Sequence, residues 1–482
     1  MLPADLNDAD VAVVGAGAAG LYASLTAARA GARVTLVSAT PLARTASYWA
    51  QGGLAAALAE GDTPDRHRAD TEIAGRGMVR RSAANVLCRE APRHVTALEA
   101  LGVRFDRDRE GNLALGLEGG HSVRRVAHAG GSATGRRVVR QLSAVVAQEP
   151  NVTVLEGARA TGLWTVDGRC TGLVLEDGRA IRARCTIVAT GGAAALWART
   201  TNPPGSLGIG VMLALAAGAA VADLEFVQFH PSAVIGIQGR EGFLVTEAIR
   251  GEGAHLLGTD GERFVDELAP RDEVARAILT QMRSTGTTSV ALDMRHVDPA
   301  LFPNVVDALR GAGLDPATEL VPVAPAAHYV MGGIVTDLDG GSTVPGLFAV
   351  GEAACTGLHG ANRLASNSLS ECFVFGARAA LAGLDEPHTR ATDPPPVEPL
   401  AAPSRATQQA LWDHAGLERD REGLTTLLDD PYPLARLVAR SALLREESRG
   451  AHFRSDFPEL NPDLDLRHAV GRGEDPVFER WA

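Results

Sequence analysis

Several short stretches place a charge or an imidazole where the neighbouring side chains are small. In HGANRLASNS (359–368) one arginine, Arg363, stands among glycine, alanine, serine and asparagine. QFHP carries His230, VTEA carries Thr246, and PAAHY carries His328 just ahead of a Gly-Gly turn. LEGGHSVRR places Glu118 before two glycines and follows it with His121 and Arg125. PRDE puts Arg271 after Pro270 at a helix start, with Asp272 and Glu273 in the first turn. A guanidinium with little bulk around it can meet an anionic ligand closely, and charge-assisted contacts are the strong ones. Each feature also has a plainer reading. Arg363 could be a surface arginine, the histidines satisfied structural residues, Glu118 a solvated loop acid, and Arg271 an exposed residue beside a helix cap.

These residues need a scaffold, and the first forty residues supply one. DVAVVGAGAAGLYASLTAARAGARVTLVSAT reads as strand, glycine turn, helix and strand. Val11–Val14 is a continuous apolar run, as a buried parallel strand requires. Gly15, Gly17 and Gly20 form GxGxxG, and a helix follows from Ala18 to about Ala30, stopped by Gly31. In this setting the glycines allow a tight turn, close backbone approach to a pyrophosphate and helix-on-sheet packing. Ala18 and Ala19 open the helix whose N-terminus faces the phosphates. The acid that usually ends the second strand of a NAD site is absent; Ser38 stands there, which disfavours NAD. Two later strands also run into glycine, CTIVATGG at Gly191–Gly192 and GLFAVGE at Gly351–Glu352. Three such turns fit one discontinuous domain wrapped around a nucleotide the size of flavin adenine dinucleotide (FAD).

The chain has 482 residues, is 45% hydrophobic and has a formal net charge of −12. Its length implies more than one domain. Its charge disfavours nucleic acid and anionic membranes as general partners, while a small anion can still bind where arginine and histidine gather. The five cysteines (Cys88, Cys170, Cys185, Cys355, Cys372) form no CxxC pair, the N-terminus carries acids where a leader would be basic, and the most apolar run, Val211–Ala222, is too short for a bilayer. A cytoplasmic location and no metal site are the expectations. The fold class expected is α/β: a Rossmann-like FAD-binding domain (1–223 and 330–388), an inserted α+β cap (224–329), a proline-rich linker (389–403) and a helical C-terminal domain (404–482).

SYWAQGGLAAAL, EGGHSVRR, LEFVQFHPSA, EAIRGEGAHL, ELAPRDEVARAI, PAAHYVMGGI and GLHGANRLASNS occur in the order found in the succinate dehydrogenase/fumarate reductase flavoprotein superfamily. The chain resembles its aspartate-oxidising branch over roughly residues 8–385, and LLREESRGAHFRSDFPE carries the likeness into the tail. The resemblance implies oxidation of L-aspartate to iminoaspartate by hydride transfer from the α-carbon to flavin N5, with reoxidation by O2 or fumarate. It also implies the first step of de novo NAD biosynthesis, with hand-off to quinolinate synthase. Arg363 and His328 would hold one carboxylate, and His230 and Thr246 the other. Arg271 would contact substrate and carry a proton, although a free guanidinium titrates above about 12; a helix N-terminus and a desolvated site would lower it. Glu118 would favour the substrate ammonium, where relatives handling succinate or fumarate carry a non-acidic residue. His121 and Arg125 would play supporting roles.

The same resemblance assigns Ser47, Gln51, Gly52 and Gly53 to cofactor contacts, Glu352 to a ribose or ribityl hydroxyl, and Ser368 and Leu369 to the isoalloxazine ring. Relatives that bind flavin covalently do so through a histidine shortly before AQGG. Residues 43–53 contain none, so non-covalent FAD is expected. The chain departs from the usual pattern at Gly208-Ile209-Gly210, where GDG is common, and at Ser370, where leucine is common. Two other functions compete. One is a soluble fumarate reductase or succinate oxidiser, which Glu118 opposes. The other is a non-catalytic flavin-binding or assembly subunit, which the set Arg271, His230, His328 and Arg363 opposes.

Overall fold

The computed structural model describes residues 8–42, 45–389, 393–394, 401–473 and 475–482, so most of the expected linker lies outside the described residues. The apolar run at the start of the chain becomes β1 (Asp8–Val14), which lies inside a seven-stranded sheet. β1 pairs in parallel with β2 (Val34–Ser38), which pairs in parallel with β3 (Val152–Glu156). β4 (Ala160–Val166), β5 (Arg169–Leu175) and β6 (Ala180–Val188) form an antiparallel meander. The end of β6 turns parallel to β1 on one side and to the strand Leu347–Ala349 on the other. Parallel strands buried on both faces are apolar throughout, as in Val11–Val14 of β1.

Register brings the three glycine turns to one edge. Val14 lies opposite Val188, and Val188 opposite Ala349. Gly15, Gly191 and Gly351 follow these strand ends, all with positive φ (+107°, +76° and +62°). A Cβ on Gly15 would lie 2.3 Å from the Ala189 carbonyl oxygen, so two strand ends approach through the missing side chain. Helix α1 (Ala18–Arg29) starts there, at the carboxyl edge where open α/β sheets bind ligands.

Residues 227–330 build a second sheet, antiparallel, in the order β7 (Val227–Val234), β10 (Val321–Val330), β9 (Val290–Asp293) and β8 (His255–Leu257). Helix α2 (Arg271–Thr285) covers it with Val274, Ala275, Ile278 and Met282. Val245, Ile249, Leu256, Leu292, Val305 and Val321 belong to an apolar cluster separate from that of the first sheet. β7 shifts register between Gln228 and Phe229 and again between His230 and Ala233, and such bulges re-aim side chains. Helix α3 (Asn367–Ala382) then returns against α1, with Gly376 close to the Ala19 carbonyl.

The tail is helical over Arg405–His414, Arg421–Thr426 and Pro433–Leu444, and it also contains a hairpin, Arg467–Gly471 with Val477–Arg480. The hairpin's first strand pairs with Val221–Ala222. Its strands of five and four residues are too short to stand out by periodicity beside the leucine-rich helices. Buried charge pins this region. Arg445 pairs with Glu225 at 2.7 Å and Glu447 at 3.0 Å, and His468 meets Asp223 at 2.6 Å. All five cysteines are free thiols. Among the described residues no helix is long and apolar enough to cross a membrane, and no cluster is suited to a metal ion.

Candidate functional site

A continuous cavity of about 1600 Å³ runs from the GxGxxG turn to the face of the second sheet. A single drug-sized ligand occupies roughly 300–1,000 Å³, so this space suits a dinucleotide together with a small substrate. Gly15, Gly17, Ala18, Ala19, Ser38, Ser47, Gln51, Gly52, Gly53, Gly191, Glu352, Ser368 and Leu369 all line it. Gly20 and Gly192 do not. A Cβ on Gly20 would fall 1.8 Å from the Gly15 carbonyl oxygen, and one on Gly192 would fall 2.1 Å from Glu352 Oε1. At these two positions the missing side chain permits packing behind the wall.

The wall fits FAD. α1 begins at Gly17 with no side-chain cap and no acid in its first turn, so its N-terminal partial charge faces the cavity unneutralised. The Ala18 N–H donates to Ser47 Oγ at 3.2 Å, which ties the AQGG loop to the helix start. Ser38 donates to the Thr40 carbonyl at 2.6 Å, leaving its oxygen lone pairs as acceptors. Burial pushes the Glu352 carboxyl up to about 7, so below that pH it carries a proton it can donate to a hydroxyl. No histidine lies among the lining residues of the AQGG loop, and Ile209 of the variant GIG sits on the wall.

At the other end, Glu118, His230, Thr246, Arg271, His328 and Arg363 share the same cavity. The plainer readings of the two arginines do not hold: the Arg271 side chain is 11% exposed and Arg363 is 6% exposed. Arg271 Nε donates to Glu247 Oε2 at 2.6 Å and its Nη1 to Gln228 Oε1 at 3.1 Å. Arg363 Nη1 donates to Ser368 Oγ at 2.7 Å and its Nε to the same Gln228 oxygen at 3.3 Å. The Arg363 guanidinium carbon lies 4.7 Å from the Tyr329 ring centroid, a cation–π contact. Burial, with Arg271 nearby, draws the Arg363 guanidinium down to about 10, so it stays charged at neutral pH.

The two histidines meet edge to face, ring centroids 5.1 Å apart. His230 Nδ1 accepts from the Ser232 N–H at 3.3 Å, which fixes its neutral tautomer with the proton on Nε2. His328 Nδ1 bonds the Thr201 hydroxyl at 2.8 Å. Burial first, then the nearby arginines, holds both imidazoles well below their ordinary range, so the pocket wall presents neutral imidazoles. Glu118 is no solvated loop acid. It is 7% exposed, its Oε2 accepts from Ser366 Oγ at 2.6 Å, and its Oε1 faces His128 Nε2 at 3.3 Å. Burial would raise its carboxyl, but His128 and Ser366 outweigh that and bring it to about 2.

His121 and Arg125 lie off the cavity wall. His121 bonds the Ala365 carbonyl at 2.9 Å, and Arg125 is locked to Asp62 and Asp70. Three groups escaped the sequence reading. Gln228 joins the two arginines. Glu247 holds Arg271 and also accepts from the Gly119 N–H at 3.0 Å. Ser366 sits at φ +62°, an uncommon conformation for serine that cavities of this kind retain when the surroundings impose it. Gln228 and Glu247 were in view within QFHP and VTEA, but nothing in their spacing marks a role.

An α/β chain with a dinucleotide channel ending in buried arginine and imidazole groups is a flavoprotein oxidoreductase acting on small anions. Residues 10–369 match the family described as FAD binding domain, and residues 427–477 match the fumarate reductase flavoprotein C-terminal family. The L-aspartate oxidase of Streptomyces coelicolor is 43% identical over 96% of this chain and 91% of its own length. That of Caulobacter vibrioides is 46% identical over 93% of this chain and 94% of its own length. Among solved structures, E. coli quinol fumarate reductase superposes with a TM-score of 0.88 at 28% identity, covering 98% of this chain and 96% of that one. Mycobacterium smegmatis Sdh1 gives 0.84 at 30% identity, covering 98% and 94%. The chain belongs to the L-aspartate oxidase family of the succinate dehydrogenase/fumarate reductase flavoproteins.

Proposed function

We infer that the protein uses FAD to oxidise L-aspartate to iminoaspartate. The observation that carries this reading is an ionised carboxylate, Glu118, on the wall of the same cavity as Arg271, Arg363, His230 and His328. Two carboxylates and one ammonium on a four-carbon frame match that set of charges and donors. FAD, bound non-covalently, supplies a two-electron acceptor at N5 of its ring. Arg363 and His328 hold one substrate carboxylate, and His230, donating from Nε2, holds the other with Thr246. Glu118 receives the ammonium and is too weak a base to take its proton. The substrate loses one hydride from Cα to that two-electron acceptor and one proton from nitrogen to solvent as C=N forms.

Arg271, hydrogen-bonded to Glu247, which in turn lies 3.9 Å from Arg250, begins a line of groups that can supply a proton to fumarate when fumarate serves as the reoxidant. The enzyme is reoxidised by O2 or fumarate and opens de novo NAD biosynthesis in the cytoplasm, passing its product to quinolinate synthase. The division into cofactor domain (1–223 and 330–388), cap (224–329), linker (389–403) and tail (404–482) belongs to the same reading, and the separate apolar cluster within residues 234–324 supports the cap.

Anaerobic mixing with L-aspartate tests it. The yellow flavin absorbance bleaches, and added fumarate restores it. Bleaching by succinate with none by aspartate would instead establish a succinate oxidiser.

A further inference from the structure

Glu118 is useful to an ammonium only while it is ionised, yet burial works against ionisation. The counter-charge comes from behind the wall. His128 does not line the cavity, and its ring faces Glu118 Oε1 from the protein side. The ring fits there because position 116 has no side chain: a Cβ on Gly116 would lie 2.6 Å from His128 Cε1. Gly116 pairs with Val126 in a small sheet whose third strand, Leu54–Ala55, leads from the AQGG loop, so cofactor loop and Glu118 loop share one support. The 3.3 Å contact of Nε2 with Oε1 is an ion pair when the ring carries its second proton, and Glu118 favours that form against burial.

We propose that His128 is a positioning residue for substrate choice: it keeps Glu118 ionised and aimed, with Ser366 on the other oxygen, so that the pocket prefers a dicarboxylate bearing an α-ammonium to the bare dicarboxylate. This rests on the aspartate-oxidising function inferred above. Each Glu118 oxygen makes one protein contact and keeps a lone pair for the ligand. The charged and titratable groups around the pair are consistent with this. Asp106 acts on His128 in the same sense as Glu118, raising it against burial. Arg271 and Arg363 attract Glu118, Glu247 repels it, and His121 lies within its field. Ser366 is fixed in turn, because its hydroxyl oxygen also accepts from the Gly53 N–H at 3.1 Å.

The test compares holoenzyme with His128→Leu and His128→Gln, measuring kcat/KM for L-aspartate oxidation and for fumarate reduction across pH 5–9. For His128→Leu we expect aspartate kcat/KM to fall about tenfold or more at pH 7 while fumarate reduction changes less than about threefold, as loss of one partner of a buried charge implies. The loss sits in KM and shrinks as pH rises, because Glu118 without its cation ionises later. His128→Gln keeps a donor but drops the charge and shows the same pH limb. Equal losses in the two reactions, or an unchanged aspartate rate, would overturn the proposal. If the variants do not fold, nitrogen NMR of wild-type holoenzyme decides. His128 titrates above the ordinary imidazole range, and Glu118→Gln lowers that midpoint; an ordinary or lowered wild-type midpoint refutes the ion pair. A wild-type enzyme active on neither substrate would remove the functional reading, and the substrate-choice role with it, whatever the imidazole does.

Discussion

Arg271 and Arg363 meet on a single oxygen, Oε1 of Gln228, at 3.1 and 3.3 Å. Two like charges are held together by a neutral amide, whose own NH2 donates to Asn362 Oδ1 at 2.8 Å and to the Arg363 carbonyl at 3.0 Å. Gln228→Leu removes the shared acceptor and lets the guanidiniums separate. Steady-state kinetics then show aspartate oxidation and fumarate reduction falling together, by about tenfold or more in kcat/KM. A change in only one reaction contradicts this placement.

Arg271→Leu abolishes turnover while FAD stays bound, because Arg271 lines the substrate end and touches none of the glycine turns. Removal of a preorganised cationic donor costs about 10²–10³ in kcat or more. Arg271→Lys does not rescue it, since an ammonium cannot serve Glu247 and Gln228 in the same fork geometry. Flavin absorbance per chain and turnover, measured on one sample, check both parts. Near-normal aspartate oxidation in the leucine variant would defeat the assignment.

Glu118→Gln keeps the shape and loses the charge. Aspartate oxidation falls by about tenfold or more while fumarate reduction is largely retained, since an ammonium loses its charge-assisted acceptor and fumarate has none to lose. The ratio of the two kcat/KM values is the readout, and an unchanged ratio removes Glu118 from substrate choice.

Gly17→Leu blocks the cofactor channel without breaking the fold. A Cβ there meets only Ser47 Oγ, at 3.2 Å, and Gly17 lines the cavity that a longer side chain would enter. The purified variant is colourless, has wild-type far-ultraviolet circular dichroism and does not take up added FAD. A yellow, active variant would mean the dinucleotide runs elsewhere.

Acid destabilises the cofactor-free protein through its buried imidazoles. Burial holds His67 at about 3 and His94 at about 4, and pushes His230, His328 and His452 well below 6.5. The folded pKa is the lower one, so the unfolded chain binds the extra proton. The contribution is full above 6.5 and lost as pH falls toward each folded value, at up to about 1.4 kcal/mol per pH unit per histidine. Glu352, raised to about 7 by burial, acts in reverse: its contribution is full below the ordinary carboxyl range and lost as pH rises through 7. Thermal melts from pH 4 to 8 show Tm dropping steeply below 6.5, and a flat acid limb would contradict the neutral-imidazole assignment.

The nucleotide-binding half was legible because its chemistry is local. An apolar run, three glycines and a helix stop within about 30 residues each imply a backbone conformation on their own. Arg363 was legible for a related reason, since its small neighbours mark close approach. Gln228 was not, because its role depends on arginines 43 and 135 residues away, and an amide carries no charge to draw notice. His128 was hidden similarly: its meaning comes from the empty position at Gly116 and from Glu118 across a short sheet. The tail hairpin was missed because its strands are brief and find their partner at Val221–Ala222.

That hairpin has a bearing on how the enzyme is made. Asp223 waits for His468, 245 residues downstream, and Glu225, three residues before Gln228, waits for Arg445. While the ribosome is still translating the tail, the strand leading into the catalytic cleft has unpaired buried acids and an open edge. Nascent chains stalled short of that hairpin would expose this edge and both acids, the kind of surface chaperones bind.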